Sequence, residues 1–177
     1  MAILFSVANE SFVPSISEQL TKNWIDIGSV APELPGNLVG FGQSFEVKAH
    51  FAAGQISRGL DLIKRAWGWY LSNPYGTQST CIEGYLTDGS FGYRSNSGYQ
   101  NDASYTSHSH GWSTGPVEAL MTYVLGIQLI EPGGSHLRLA PQPGNLTSVA
   151  GGFTTPLGRF EVMYNSTELG YSLEWYV

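Results

Sequence analysis

Ile56-Ser57-Arg58-Gly59-Leu60-Asp61-Leu62-Ile63-Lys64-Arg65-Ala66-Trp67-Gly68-Trp69-Tyr70-Leu71 reads as one helix. Its apolar residues Leu60, Ile63, Trp67 and Tyr70 recur at the spacing of a single helical face. Gly54 divides this helix from a preceding one, about Ser44 to Ala53, with Phe45, Ala49 and Ala52 on one side. So short a connection makes neighbouring helices antiparallel, and a helical hairpin is expected. Farther upstream, Ser15-Ile16-Ser17-Glu18 has capping-box spacing. It opens a helix with Ile16, Leu20, Trp24 and Ile27 periodic and Gly28 as its stop. Between these helices, Val30-Ala31-Pro32-Glu33-Leu34-Pro35-Gly36-Asn37 enforces a loop through two prolines and a glycine.

Downstream of the hairpin, residues 72–113 lack periodicity and are rich in Gly, Ser, Asn, Tyr and Thr. An irregular stretch of that length is usually functional or disordered. Its aromatics Tyr85, Phe91, Tyr93, Tyr99, Tyr105 and Trp112 argue for order, since each needs a partner or a ligand. A fourth helix is expected over about Pro116 to Leu125. Beyond Gly126, Leu137–Leu139, Gly152–Thr155, Phe160–Tyr164 and Tyr171–Trp175 alternate apolar and polar residues between turn-forming stretches. The fold class expected is therefore α+β, with helical hairpins over 1–130 followed by a small antiparallel β unit over 131–177.

The chain has 177 residues with 42% hydrophobic and 12% charged content, which suits a packed core and not disorder. A net charge of −6 without a basic patch argues against nucleic acid as a partner. The longest apolar candidate, Val117 to Ile130, is broken by Glu118, Thr122, Gly126 and Gln128, so no membrane span is expected. The single cysteine, Cys81, allows no internal disulfide. Asn9, Asn145 and Asn165 sit in glycosylation triplets, which arise often by chance and favour secretion only slightly. Met1 to Phe5 do not form a signal peptide, having no basic start and too short an apolar stretch. They read as the tail of a helix that begins upstream, and the chain as a piece of a longer protein.

Chemistry concentrates between Thr80 and Gly115. One loop system holds Glu83, Asp88, Arg94, His108, His110 and several aromatics. Sugar sites have this composition, because aromatic rings cover the apolar face of a sugar while Asp, His and Arg bind hydroxyls. Three readings compete for His108 and His110. Alternate spacing could turn both toward a metal, but no third ligand is evident, as His50 and His136 lie in unlike contexts. A nucleophilic triad would need an elbow motif, and none is present. Hydroxyl binding or plain structural hydrogen bonding remains. Glu83 is either an exposed loop acid or a catalytic one, with Glu33 and Glu46 comparable as pocket acids. Trp67 belongs to the core face of its helix and Trp69 to another.

Several ungapped runs resemble fungal six-hairpin glycosidases, usually assigned to glycoside hydrolase family 78, the α-L-rhamnosidases. They are Val30 to Asn37, Ser44 to His50, Trp67 to Pro74, Cys81 to Tyr85, Gly89 to Arg94, Ser107 to Pro116, and Leu139-Ala140-Pro141, and together they span essentially the whole chain. The resemblance implies the last hairpins of an (α/α)6 barrel followed by a small β-sandwich-like C-terminal unit. It also implies hydrolysis of terminal α-L-rhamnose with inversion, by a secreted parent, without metal or cofactor. Thr80-Cys81-Ile82-Glu83-Gly84-Tyr85 matches the family's Thr-x-x-Glu setting and makes Glu83 the general base. Ser107-His108-Ser109-His110 places His110 as a sugar-binding residue, with Trp112 as a pocket wall. Arg94, Tyr85 and Glu33 join them as substrate-binding candidates. The family's general acid comes from earlier loops of the barrel, so the expected partners are a small carbohydrate or glycoside and the preceding part of the same barrel. The competing expectation is a non-catalytic carbohydrate-binding unit, or a six-hairpin remnant of other sugar specificity.

Overall fold

The computed structural model describes residues 1–94 and 97–176 as a mixed α+β chain with short helices and small antiparallel sheets. It forms two compact units, Met1–Pro116 and Val117–Val177. The division precedes most of the last helical segment, whereas the change from helical to alternating hydropathy in the sequence follows it. Among the described residues no helix is long and apolar enough to cross a membrane.

The first unit opens with α1 (Val13–Leu20), which carries Pro14 in its first turn. Ser15 does not cap it. Its hydroxyl donates instead to Phe12 O at 2.9 Å, because the helix starts three residues earlier than the capping-box spacing suggests. Nor does the helix reach Gly28. Residues Trp24–Ile25 (β1) are extended and pair antiparallel with Gly28–Ser29 (β2). The Trp24 indole donates to Glu46 Oε1 at 2.5 Å, a tertiary bond that a continued helix would not make in the same way. The apolar periodicity through Trp24 and Ile27 is therefore shared between one helix and a hairpin.

After the proline loop, β3 (Asn37–Val39) pairs with β4 (Gly84–Leu86), setting Leu38 opposite Tyr85 and Val39 opposite Gly84. Directly behind β3 runs α2 (Gly40–Ala52), followed by α3 (Ile56–Ile63). The chain continues through a wide π-type turn at Lys64–Gly68 into α4 (Trp69–Ser72). This is the expected hairpin, begun four residues earlier than Ser44. One core cluster joins buried Leu38, Tyr70, Ile82 and Tyr85, with Trp69 and Phe91 packed on it. Trp67 is also buried, and its indole donates to Ser113 O at 2.6 Å. The hairpin and the long irregular stretch thus fold as one body, which explains the order that its aromatics suggested.

The second unit continues from α5 (Gly115–Ala119), which spans the division, through a wide turn at Leu120–Val124. There β5 (Ile127–Leu129) pairs with β6 (Leu137–Leu139). The other sheet is a meander of β7 (Ser148–Thr155), β8 (Gly158–Thr167) and β9 (Gly170–Tyr176). Leu125, Ile127, Phe160 and Val162 form its buried centre, joined by Leu139, Val149 and Leu173. In β8 the buried Phe160 and Val162 stand two residues apart, the spacing that puts both on one face of the strand.

Candidate functional site

Glu83 lies just before β4 and is only 4% exposed. The segment carrying it is stitched to the run after it by backbone bonds. Glu83 N–H donates to Ser107 O at 2.8 Å, and His110 N–H donates to Cys81 O at 2.8 Å. On the other side Gly40 N–H donates to Glu83 O at 3.2 Å, so the start of α2 also fixes this backbone. The carboxylate itself has two donors. The Tyr99 hydroxyl gives a 2.7 Å bond to Oε1, and Ser107 N–H gives a 3.2 Å bond to Oε2. A buried carboxylate is tolerated when its oxygens are hydrogen-bonded in this way.

The phenols around it respond. The hydrogen bond to Glu83, with lesser contributions from burial and from that carboxylate's charge, holds the Tyr99 phenol above its ordinary pKa. Burial first, and the Glu83 charge second, push Tyr93 up as well, while Arg94 pulls in the opposite direction. Tyr93 and Tyr99 meet edge to face at 6.0 Å, and the Arg94 guanidinium lies 5.5 Å over the Tyr99 ring.

The two histidines have separate surroundings. His108 Nδ1 is 2.9 Å from the Tyr70 hydroxyl, and its ring packs edge-on against Phe91 at 4.9 Å. That makes it a structural pivot of the core. The His110 ring packs at 4.4 Å on Trp112, whose own ring is 45% exposed and 5.3 Å from Phe41. Among the described residues no three His, Cys, Asp or Glu side chains are gathered as a metal site.

Arg94 adopts a left-handed backbone (φ 53°), held there by its N–H donating to Asn37 Oδ1 at 3.0 Å. With Tyr93, Glu33, Glu46 and Phe41 it walls a cleft of about 650 Å3. Glu33 is exposed on that cleft, carried by the proline loop. Glu46 is committed elsewhere: Trp24 Nε1 and Ser29 Oγ donate to its two oxygens, the latter at 2.8 Å. Tyr85 is 2% exposed, its hydroxyl donates to Ile27 O at 2.6 Å, and burial pushes its phenol far above the ordinary value. It is committed to the core cluster and does not line that cleft.

The structure thus brings Glu83 together with Arg94 through Tyr99, and Trp112 together with His110. Tyr99 was visible in the sequence only as one aromatic among six, and no spacing marks it as the partner of Glu83. A buried network also escaped sequence reading. Ser17 Oγ lies 2.8 Å from His50 Nδ1 and accepts from Arg58 Nη1 at 3.2 Å, while His50 Nε2 lies 3.5 Å from Glu46 Oε1. Ser17 and His50 are fully buried, so these groups tie α1, α2 and α3 together instead of facing a substrate. No protein-family model matches the chain, and no curated protein matches it.

Proposed function

We propose that residues 1–177 form the base-bearing part of an inverting glycoside hydrolase that removes terminal α-L-rhamnose. In this reading the first unit supplies the last hairpins of an (α/α)6 barrel and the second a β-sandwich-like C-terminal unit. One observation carries the proposal: Glu83 is a buried, doubly hydrogen-bonded carboxylate on a segment stitched to the run that presents His110 and Trp112. Two donors of fixed position, the Tyr99 hydroxyl and the Ser107 N–H, hold one oxygen each and so orient the carboxylate.

Inversion requires this base to take a proton from water while an acid, on the opposite face of the sugar ring, protonates the departing oxygen. The two carboxyls must stand roughly 6.5–9.5 Å apart to admit that water. Glu46 is a poor acid, because both of its oxygens already accept from Trp24 and Ser29. In this reading the acid comes from further hairpins of the same barrel, outside residues 1–177. His110 and Arg94 bind hydroxyls, Trp112 covers the apolar face of the sugar, and Glu33 accepts from the ligand at the cleft rim. The reaction needs water and no cofactor, and the resemblance makes the parent a secreted enzyme.

The 4% exposure of Glu83 favours a second reading, a non-catalytic carbohydrate-binding unit or a six-hairpin remnant with other sugar specificity. Glu83→Gln in the full-length polypeptide separates the two. Loss of a general base lowers turnover by about two to four orders of magnitude, with rhamnose affinity kept. Undiminished turnover in that variant removes Glu83 from the chemistry. Residues 1–177 alone are expected to show no hydrolysis, and measurable turnover by this chain would place the acid within it.

A further inference from the structure

We infer that Tyr99 is the positioning residue of Glu83 and that Arg94 fixes Tyr99 in turn. The inference rests on the reading of Glu83 as the base. A glutamate carboxylate rotates freely about its last torsion unless both oxygens are held. Ser107 N–H, part of the backbone, holds Oε2, and the Tyr99 hydroxyl holds Oε1 at 2.7 Å. Together they leave one orientation of the carboxylate plane, and so one direction in which a free lone pair can receive a water proton.

Tyr99 comes from the surface turn beyond Arg94, and its ring has its own clamps. Tyr93 packs edge to face against it at 6.0 Å, Tyr105 lies at 5.9 Å, and Arg94 sits over the ring at 5.5 Å. Arg94 is itself constrained by the bond from its N–H to Asn37 Oδ1 and by its 3.3 Å bond from Nη2 to Ser97 O. A left-handed backbone at a residue other than glycine persists only where its surroundings enforce it. Arg94 also walls the cleft. The raised phenol agrees with a proton resident on Tyr99 and donated to Glu83.

The test uses Tyr99→Phe, which removes only the hydroxyl, and Glu83→Gln. On residues 1–177, phenolate absorbance is titrated for the parent sequence and for Tyr99→Phe, and the difference gives the Tyr99 curve. The same difference is then measured in the Glu83→Gln background. The Tyr99 curve is expected to move to lower pH when the carboxylate is lost; a curve that stays in place overturns the inference. In the full-length polypeptide, Tyr99→Phe is expected to lower kcat on the order of ten-fold or more. KM for an aryl α-L-rhamnoside should stay within about two-fold, since the lost bond orients the base and does not hold the sugar. A Tyr99→Phe variant with unchanged kcat, alongside an inactive Glu83→Gln, overturns the positioning role and leaves the base reading standing. An active Glu83→Gln overturns both.

Discussion

Gly40→Ala addresses the joint on which the geometry of Glu83 depends. Gly40 opens α2, and its N–H donates to Glu83 O. A methyl group added there would fall on Ser113 Oγ, 2.8 Å from Ser113 Cβ and 3.2 Å from Ile82 O. Carbon contacts are comfortable at ~3.5–4.0 Å, so Ser113 or the helix must move by roughly an ångström. Ser113 is 1% exposed and its carbonyl holds the Trp67 indole, which leaves little freedom to yield. Overpacking of this kind costs about 1–3 kcal/mol.

The clash has a specific remedy. Ser113→Gly removes both the Oγ and the Cβ that the new methyl would meet. The Ser113 hydroxyl has no hydrogen-bond partner among the described residues, so its loss sacrifices no bond. The glycine itself costs roughly 0.5–1 kcal/mol in chain entropy. The double variant should therefore lie within about 1 kcal/mol of the parent, with a favourable coupling of ~1–2 kcal/mol in a double-mutant cycle. Urea unfolding followed by tryptophan fluorescence is the assay. Trp24, Trp67, Trp69 and Trp112, four of the five tryptophans, report on the first unit. A Gly40→Ala variant as stable as the parent, or costs that simply add in the double variant, would refute the packing argument.

Ser17→Ala deletes the hydroxyl between His50 Nδ1 and Arg58. Leaving buried polar atoms unpaired should cost about 1–3 kcal/mol in the same urea assay, and a neutral result would mean that the network does not hold the three helices. Tyr85, Tyr93 and Tyr99 all have phenols raised by the fold. The unfolded chain then ionises first, so their contribution is full below pH ~10 and is lost as pH rises beyond it. Stability should fall on the alkaline side of that value, and less steeply in Tyr85→Phe. An equally steep decline in that variant would assign the loss elsewhere. Trp112→Ala should cost about 1–2 kcal/mol of stability, because the residue is 45% exposed and its ring packs on His110 and Phe41. Its effect is expected on sugar binding, measured by titration calorimetry in the full-length polypeptide.

Much of the first unit was legible where periodicity and packing agree. Leu60, Trp67 and Tyr70 mark a real helical face, and all three are buried. In the second unit, Phe160–Tyr164 and Tyr171–Trp175 alternate as strands and lie within β8 and β9. The failure around Trp24 has a clear cause. Residues 16–27 carry helical spacing, but the bonds from Trp24 to Glu46 and from Ser29 to Glu46 draw the chain into a hairpin, and spacing holds no record of a carboxylate 22 residues away. The site was half legible for the same reason. Glu83, His110 and Trp112 stand in recognisable runs. Tyr99 and Gly40 act through contacts that depend on how a long irregular loop folds back, and Ser107 acts through its backbone N–H, which no side-chain pattern can signal.

The role of Glu83 is tested most directly by replacing it with alanine in the full-length polypeptide and supplying azide. The small anion enters the vacated space and attacks the sugar carbon without needing a base. Glu83→Ala should hydrolyse an α-L-rhamnoside at least about two orders of magnitude more slowly than the parent. Azide should restore turnover and yield the rhamnosyl azide of inverted, β configuration. Parent-like hydrolysis in the alanine variant, or an azide product of retained α configuration, would contradict an inverting reaction with Glu83 as its base.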